Sequence, residues 1–195
     1  MKQNKLLYIL VFLSFLINCK SQTTEQKFYS EEFKWTITIP SGFEKIETDD
    51  WKEYKKKGIK AIEETFDKDM DNRTRTIFSF KNGEQNILES VVQPYDVDIN
   101  GEYLETQDYV NKIMYQTIKK NVKGAKIDTL SFNKIISGKE FVTFKMTVTY
   151  PNNLVMNTLM YSRLFDKTEF TVNITYIDEK VGKKMIEKWE NSIFE

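Results

Sequence analysis

The stretch from Lys126 to Tyr176 is the part of this 195-residue chain that most restricts its fold. Apolar residues take every second position from Phe144 to Tyr150 and again from Phe170 to Tyr176, which is the period of strands with one buried face. Two short turn sequences, Pro151-Asn-Asn and Asp166-Lys, separate these strands from the one between them. Adjoining turns of this length predict an antiparallel meander.

The rest of the chain predicts further strands and three helices. Trp35, Ile37 and Ile39 alternate with threonines, which predicts a strand that ends at the Pro40-Ser-Gly turn. Apolar residues at helical spacing predict helices near 51–66, over 102–122 and after Asp178. Residues 74–81 and 86–93 are predicted to be two strands, joined by a tight turn at Asn82-Gly83. The predicted order is ββ-α-ββ-α-ββββ-α, an α+β fold in which helices pack on the faces of an antiparallel sheet.

Two local patterns refine the helices. Asp50, with Glu53 three residues later, resembles an acidic capping box and predicts that the first helix begins there. In the last helix, Val181, Met185, Trp189 and Ile193 recur on one face. That face is expected to be buried.

Two short motifs carry a resemblance to a known family. They are Trp35-Thr-Ile-Thr-Ile-Pro-Ser-Gly-Phe43 near the start and Trp189-Glu-Asn-Ser-Ile-Phe194 at the end. With the element order, they resemble the PsbP-like superfamily, which includes photosystem II extrinsic subunits, a Ran-binding nuclear-transport factor and many small bacterial lipoproteins. The resemblance covers about residues 27–195 and implies a PsbP-like sandwich that serves as an interaction module without family catalytic residues.

The N-terminus has the form of an export signal. Lys2 and Lys5 precede an apolar run from Leu6 to Ile17, which is too short to span a bilayer and fits a secretory signal. The run ends in Leu16-Ile-Asn-Cys19, which resembles a bacterial lipobox with Asn in place of the usual small residue before the cysteine. The alternative is an ordinary signal peptide that happens to contain a cysteine.

Cys19 is the only cysteine of the chain, and lipidation would account for an unpaired thiol in an exported protein. We therefore expect a lipoprotein signal peptide over 1–18, the lipidated cysteine and a polar tether over 19–27, and one α+β domain over 28–195. Lys20 follows the cysteine, so the Asp that would be the familiar signal for retention in the inner membrane is absent. We expect lipid anchoring in the cell envelope, at the outer membrane and facing the periplasm.

Composition argues against several classes of function. The chain has 29 Lys and Arg against 29 Asp and Glu, and removal of Lys2 and Lys5 with the signal leaves it slightly acidic, which is unlike a nucleic-acid-binding domain. It contains no histidine, which excludes Ser-His-Asp and Cys-His catalysis and histidine-ligated metals. We expect no cofactor and no catalytic residues.

A few clusters are candidates for contacts. The late hairpins are rich in aromatic residues, most of them expected in the core, and the candidates for an interaction surface are Tyr150, Tyr161, Phe165 and Tyr176. The alternating aspartates of Asp67–Arg73 resemble a calcium loop, but the sixth and twelfth places hold Asn72 and Phe78, so no metal site is expected. Lysine clusters at 55–57 and 119–120 fit solvated helix faces or contacts with anionic lipid.

Three functions agree with these features. The first is a non-enzymatic interaction module tethered to the membrane by its N-terminal lipid, with an envelope protein as partner. The second is a lipoprotein that binds a small apolar ligand or a peptide in a groove between the sheet and the helices. The third is an enzyme that works with carboxylates, Lys, Ser or Tyr alone, which would need convergent polar groups in a cleft.

Overall fold

The computed structural model describes residues 24–195. None of the helices in that range is long and apolar enough to cross a membrane. The elements, in chain order, are β1 (Gln26–Ser30), β2 (Trp35–Ile39), β3 (Glu44–Lys45), α1 (Thr48–Phe66), β4 (Arg75–Asn82), β5 (Asn86–Pro94), α2 (Val97–Asn100), α3 (Tyr103–Asn121), β6 (Lys126–Ile136), β7 (Lys139–Thr149), β8 (Val155–Phe165), β9 (Thr168–Tyr176), α4 (Glu179–Glu190) and β10 (Ile193–Phe194).

A seven-stranded antiparallel sheet forms the centre of the domain. Its strand order is β3-β4-β5-β9-β8-β7-β6. The last four strands in sequence, β6 to β9, form the meander that the alternating pattern predicts, each paired with the next. The predicted α+β class with an antiparallel sheet and helices on its faces is confirmed.

A second, three-stranded sheet of order β1-β2-β10 closes one side of the core. Trp35 of β2 pairs with Phe194 of β10, so the two motifs at opposite ends of the sequence lie side by side. The Trp35 ring lies 5.0 Å from Phe170 and 5.8 Å from Trp189, measured between ring centroids. Edge-to-face aromatic pairs of this kind add stabilisation beyond the area they bury.

The last helix, α4, packs on the same side. The carboxylate of Asp178 accepts hydrogen bonds from the backbone N–H groups of Lys180 and Val181, as predicted for the residue that opens this helix. Met185 and Trp189 are fully buried, but the helix ends at Glu190, and Ile193 lies in β10 with 58% of its surface exposed. Ile193 therefore does not continue the buried helical face.

The opposite face of the large sheet is covered by α1 and α3. The predicted capping box does not form, because α1 begins at Thr48 and Asp50 lies inside its first turn. There Asp49 and Asp50 interact favourably with the helix dipole. At the start of the domain, Gln26 and Lys27 belong to β1 although the sequence pattern assigns them to the tether.

Candidate functional site

The edge strand β6 has the longest unpaired strand edge in the fold described between residues 24 and 195. It pairs with β7 along its whole length of 11 residues, and none of the other described strands pairs with its second edge. Leu130 is 59% exposed, Phe132 36% and Ile135 68%. Unpaired backbone groups on a long apolar edge are a template for another strand. This edge of β6 is the candidate functional site.

The local sequence fixes which backbone groups point outward. Ser137 and Gly138 connect β6 to β7, and both have positive φ, 49° and 74°, as a type I′ hairpin turn requires. A two-residue turn makes the flanking residues, Ile136 and Lys139, a hydrogen-bonded pair, and such pairs alternate along the ladder. Residues 127, 129, 131, 133 and 135 therefore direct their N–H and C=O groups away from β7.

The turn is held in place by the end of the chain. Ser137 Oγ accepts a hydrogen bond from the backbone N–H of Phe194 at 3.1 Å and lies 3.2 Å from its carbonyl oxygen. Ile136 at the end of the strand is fully buried in the aromatic core. One end of β6 is thus fixed while the rest stays exposed.

Natural edge strands are protected by prolines, bulges or charges that point inward. The sequence of β6 has no proline, and its register with β7 is continuous from Lys126 to Ile136. Lys134 Nζ forms an ion pair with Glu190 at 2.6 Å, whereas Asp128 has no ion-pair partner within residues 24–195. The charged residues of β6 lie toward its two ends, so its centre, residues 129–133, has neither a charge nor a proline to protect it.

A small cavity of about 150 Å³, lined by both apolar and polar side chains, lies between the large sheet and α3. Its floor includes Gln93, Glu169 and Asn173, and Val110 of α3 lines it from above. The carboxylate of Glu169 is buried and accepts hydrogen bonds from Gln93 Nε2 and Gln107 Nε2, both at 2.5 Å. Charge-assisted bonds of this kind satisfy a buried carboxylate and join α3 to the sheet.

A second carboxylate, that of Glu89, lies beside Asn173 but does not line the cavity. Glu89 accepts a hydrogen bond from Asn173 Nδ2 at 2.8 Å. Burial raises the pKa of Glu89 to about 7, against the opposing effects of the Asn173 bond and of Lys55. The Oδ1 atom of Asn173 is buried without a hydrogen-bond partner among the described residues. The side chain of Asn173, which lines the cavity, thus carries one acceptor that is not satisfied.

The structure distributes the predicted aromatic residues between core and boundary. Tyr161 and Tyr176 are buried, at 1% and 4% exposure, and belong to the main core. Phe165 is partly buried between Phe33 and Phe170, and Tyr150 packs beside the smaller cluster around Phe144, Met146 and Val148. The four residues do not form one exposed patch, so only Tyr150 and Phe165 stay predictions as contact residues.

Cys19, the residue predicted to carry the lipid, lies outside the described residues.

The remaining clusters have local partners. Asp71 forms an ion pair with Arg73 at 3.3 Å, and the described residues contain no group of three or more side chains that could hold a metal ion. Lys57 pairs with Glu53 at 2.8 Å. Lys120 donates to the carbonyl oxygens of Glu64 and Thr65, both at 2.9 Å, so it fixes α3 to the end of α1.

Comparisons with known proteins bear on the fold. No family model matches the chain, and no curated protein matches it in sequence. Among solved structures, the solution structure of cyanobacterial PsbP (CyanoP) from Synechocystis sp. PCC 6803 is similar, with a TM-score of 0.55 and 11% identity. The match covers 88% of this chain and 92% of the CyanoP chain.

The chain has a PsbP-like fold. The two motifs at Trp35–Phe43 and Trp189–Phe194, from which the resemblance was inferred, meet at the centre of the aromatic core of this PsbP-like domain. At 11% identity the likeness concerns the arrangement of strands and helices alone.

Sequence patterns missed the β6 edge and the Glu169 network. The sequence assigns 126–136 to a strand but gives no sign that the strand lies at the edge of the sheet, because neighbours in a sheet depend on the whole topology. A signal for the network existed: Gln107 and Asn111 lie four residues apart on one face of α3, and both are buried. Buried amides at helical spacing require polar partners.

Proposed function

We propose that this protein is a lipid-tethered, non-enzymatic interaction module of the cell envelope, which binds its partner by strand addition at the β6 edge. The observation that carries the proposal is the open edge itself, with Leu130, Phe132 and Ile135 exposed beside unpaired backbone groups. In strand addition, main-chain hydrogen bonds supply affinity and alternate side chains supply specificity.

The tether supports this function. Lipid on Cys19 would hold the domain at a membrane, with residues 20–25 as the connection to β1. Since two or more acyl chains anchor stably, no spanning helix is needed. With Lys20 after the cysteine, the outer membrane facing the periplasm is the proposed location.

The arrangement of the polar groups supports a role without catalysis. Glu89 pairs across the ladder with Asn173, and Glu169 pairs with Gln93. The two glutamates are therefore four ladder positions apart, about 13 Å at the rise of an antiparallel strand. This separation exceeds the roughly 5–10 Å over which paired carboxylates act on one bond. The sequence contains no histidine that would act as a base instead.

Photo-cross-linking in intact cells tests the proposal. A photoreactive amino acid at Asn133, whose backbone faces outward, is expected to give a defined adduct with the partner. The matched control is the same amino acid at Lys45 in β3, which forms the opposite edge of the sheet with only two residues. We expect no adduct of the same mass there.

A proline substitution in β6 tests whether the adduct depends on main-chain hydrogen bonds. Ser131→Pro removes an outward N–H that the β6–β7 ladder does not use, and it should abolish the Asn133 adduct, while Ser131→Thr keeps the N–H and should preserve it. The absence of any adduct from Asn133, or an adduct that survives Ser131→Pro, would contradict strand addition.

The anchor has its own test. Cys19→Ala should release the protein from membranes or leave an unprocessed precursor. Fractionation of cell membranes measures the effect, with Ser21→Ala in the tether as the control. Unchanged membrane retention of a processed Cys19→Ala protein would overturn the lipid anchor while leaving the β6 proposal open.

A second candidate is the binding of a small ligand between the sheet and α3, which the unsatisfied Asn173 Oδ1 favours. Glu169 and Asn173 supply polar groups, and valines and Met160 line the rest of the cavity, so it suits a small neutral molecule with one polar group and one apolar part. Acetamide, which donates and accepts hydrogen bonds, is a probe. Its titration should shift the NMR signal of the Asn173 side chain, and Thr171→Leu, which fills the cavity, should abolish the shift.

A further inference from the structure

The β6 sequence is complementary to itself when two copies run antiparallel. Ser131 is its middle residue, with five residues on either side. We propose that the partner at the β6 edge is β6 of a second copy of this chain, paired about a twofold axis at Ser131. This inference rests on the proposed strand addition and specifies its partner.

The backbone geometry allows this pairing. About the axis, Ser131 faces Ser131 of the second copy, and Thr129 and Ile127 face Asn133 and Ile135. All of these residues direct their N–H and C=O groups outward, because their even-numbered neighbours bond to β7. Each facing pair can therefore exchange both of its hydrogen bonds, about ten across the interface. A register shifted by one residue would oppose outward to inward groups and lose these bonds.

The side chains agree with the same register. Asp128, which has no ion-pair partner among residues 24–195, faces Lys134 of the second copy, and the twofold axis makes this contact twice. Leu130 faces Phe132 of the second copy, so four exposed apolar side chains would meet at the centre of the interface. Opposite charges and apolar pairs directly across a ladder stabilise it by roughly 0.2–1 kcal/mol each.

Neighbouring registers are worse. A shift of two residues in one direction places Lys126 opposite Lys134 and Asp128 opposite Phe132. A shift of two residues in the other direction places Leu130 opposite Lys134. Like charges or a charge facing an apolar residue disfavour both. The register about Ser131 is the one in which charged and apolar residues both find matching partners.

The existing ion pair of Lys134 is compatible with the interface. Lys134 Nζ lies 2.6 Å from Glu190, and both side chains are 36% exposed. In the dimer Lys134 would lie between Glu190 of its own chain and Asp128 of the second copy, which adds an attraction without removing one. Since exposed ion pairs contribute little, the charges set the register while the backbone and the apolar cluster supply the affinity.

Disulfide trapping in the full chain, expressed in cells and kept in its membranes, tests the register. Asp128→Cys and Lys134→Cys are expected to form a disulfide-linked dimer when they are co-expressed, because positions 128 and 134 face each other in a closely spaced, non-hydrogen-bonded pair. Either variant alone should give no more dimer than the unmodified chain. Within a dimer of one variant, the two introduced cysteines lie six residues apart along the paired strands, about 20 Å, which is too far for a disulfide. Equal dimer from either single variant, or none from the mixture, would overturn the register.

Charge exchange provides a second test that creates no new bond. Asp128→Lys and Lys134→Asp, each alone, should weaken self-association of the detergent-solubilised full chain about tenfold, because both variants oppose like charges twice. An equimolar mixture should restore it as a heterodimer, measured by analytical ultracentrifugation. If the mixture associates no better than the single variants, the self-pairing is contradicted. If the Asn133 photo-adduct then has the mass of a different protein, strand addition stands with another partner, and if there is no adduct, both proposals fall.

Discussion

One face of the seven-stranded sheet packs against Trp35, Trp189 and Phe194, while the other packs against α3 through Gln107, Asn111 and Thr117. The first face is a continuous aromatic cluster, and the second combines a smaller apolar cluster around Phe144, Met146 and Val148 with hydrogen bonds around Glu169. The hydrophobic effect does not depend on the relative orientation of the side chains, whereas a buried network of hydrogen bonds is favourable only when every bond is made. We infer that the aromatic face contributes most of the stability, while the Glu169 hydrogen bonds on the α3 face fix the position of that helix.

The largest expected effect is at the centre of the aromatic face. Trp189→Ala should lower the free energy of unfolding by about 3–5 kcal/mol, because it leaves a cavity among Phe141, Phe170 and Phe194. Denaturant unfolding followed by circular dichroism measures the change. Ile193→Ala, four residues away and exposed, should cost less than about 0.5 kcal/mol. Equal losses at both positions would contradict the assignment of the core.

The next largest loss of stability is expected at the Glu169 hydrogen bonds on the α3 face. Glu169→Leu should lower stability by about 2–4 kcal/mol, because it leaves the buried amide of Gln107 and the partly buried amide of Gln93 without their acceptor. Unlike Trp189→Ala, it should increase hydrogen exchange in α3 more than in α4. The double variant Glu169→Leu/Gln107→Leu should recover part of the loss. Uniform loosening of both helices would remove the distinction between the two faces.

Two helical glycines test packing on each side. A Cβ at Gly182 of α4 would lie 2.4 Å from the Tyr176 ring, whereas at Gly58 of α1 it would meet no atom within 4 Å. Gly182→Ala should therefore destabilise the domain by about 1–3 kcal/mol, and Gly58→Ala should stabilise it by about 0.5–1 kcal/mol. Thermal unfolding of both variants gives the comparison. A stabilising Gly182→Ala would mean that α4 does not lie so close to β9.

The smallest expected effect depends on pH. Because the pKa of Glu89 is raised to about 7 in the folded state, the protein binds an extra proton there between pH 4.5 and 7. Stability contributed by the protonated form is therefore present at low pH and lost as the pH rises through about 7. Glu89→Gln should flatten this slope and raise stability at pH 8 by about 1–2 kcal/mol, discounted for partial exposure. A slope that is retained in Glu89→Gln would exclude Glu89 as its source.

The fold was more predictable from the sequence than the site, for a physical reason. Alternation from Phe144 to Tyr176 reports which side of each strand is buried, and that is enough for a meander. It cannot report that β6 ends the sheet or that Tyr161 lies in the core, because both depend on distant elements such as α4 and β10. The predicted cap at Asp178 forms, whereas the one at Asp50 does not, because α1 begins two residues earlier, at Thr48.

Hydrogen exchange along β6 tests the central claim most directly. In the isolated monomer, the outward amides of Ile127, Thr129, Ser131, Asn133 and Ile135 should exchange rapidly, while the even-numbered amides bonded to β7 are protected. In native membranes, residue-resolved mass spectrometry should find the outward amides protected as well, because a second strand accepts from them. Rapid exchange of the Ser131 amide in both states would contradict the account, since it would show that the β6 edge stays unpaired where the protein works.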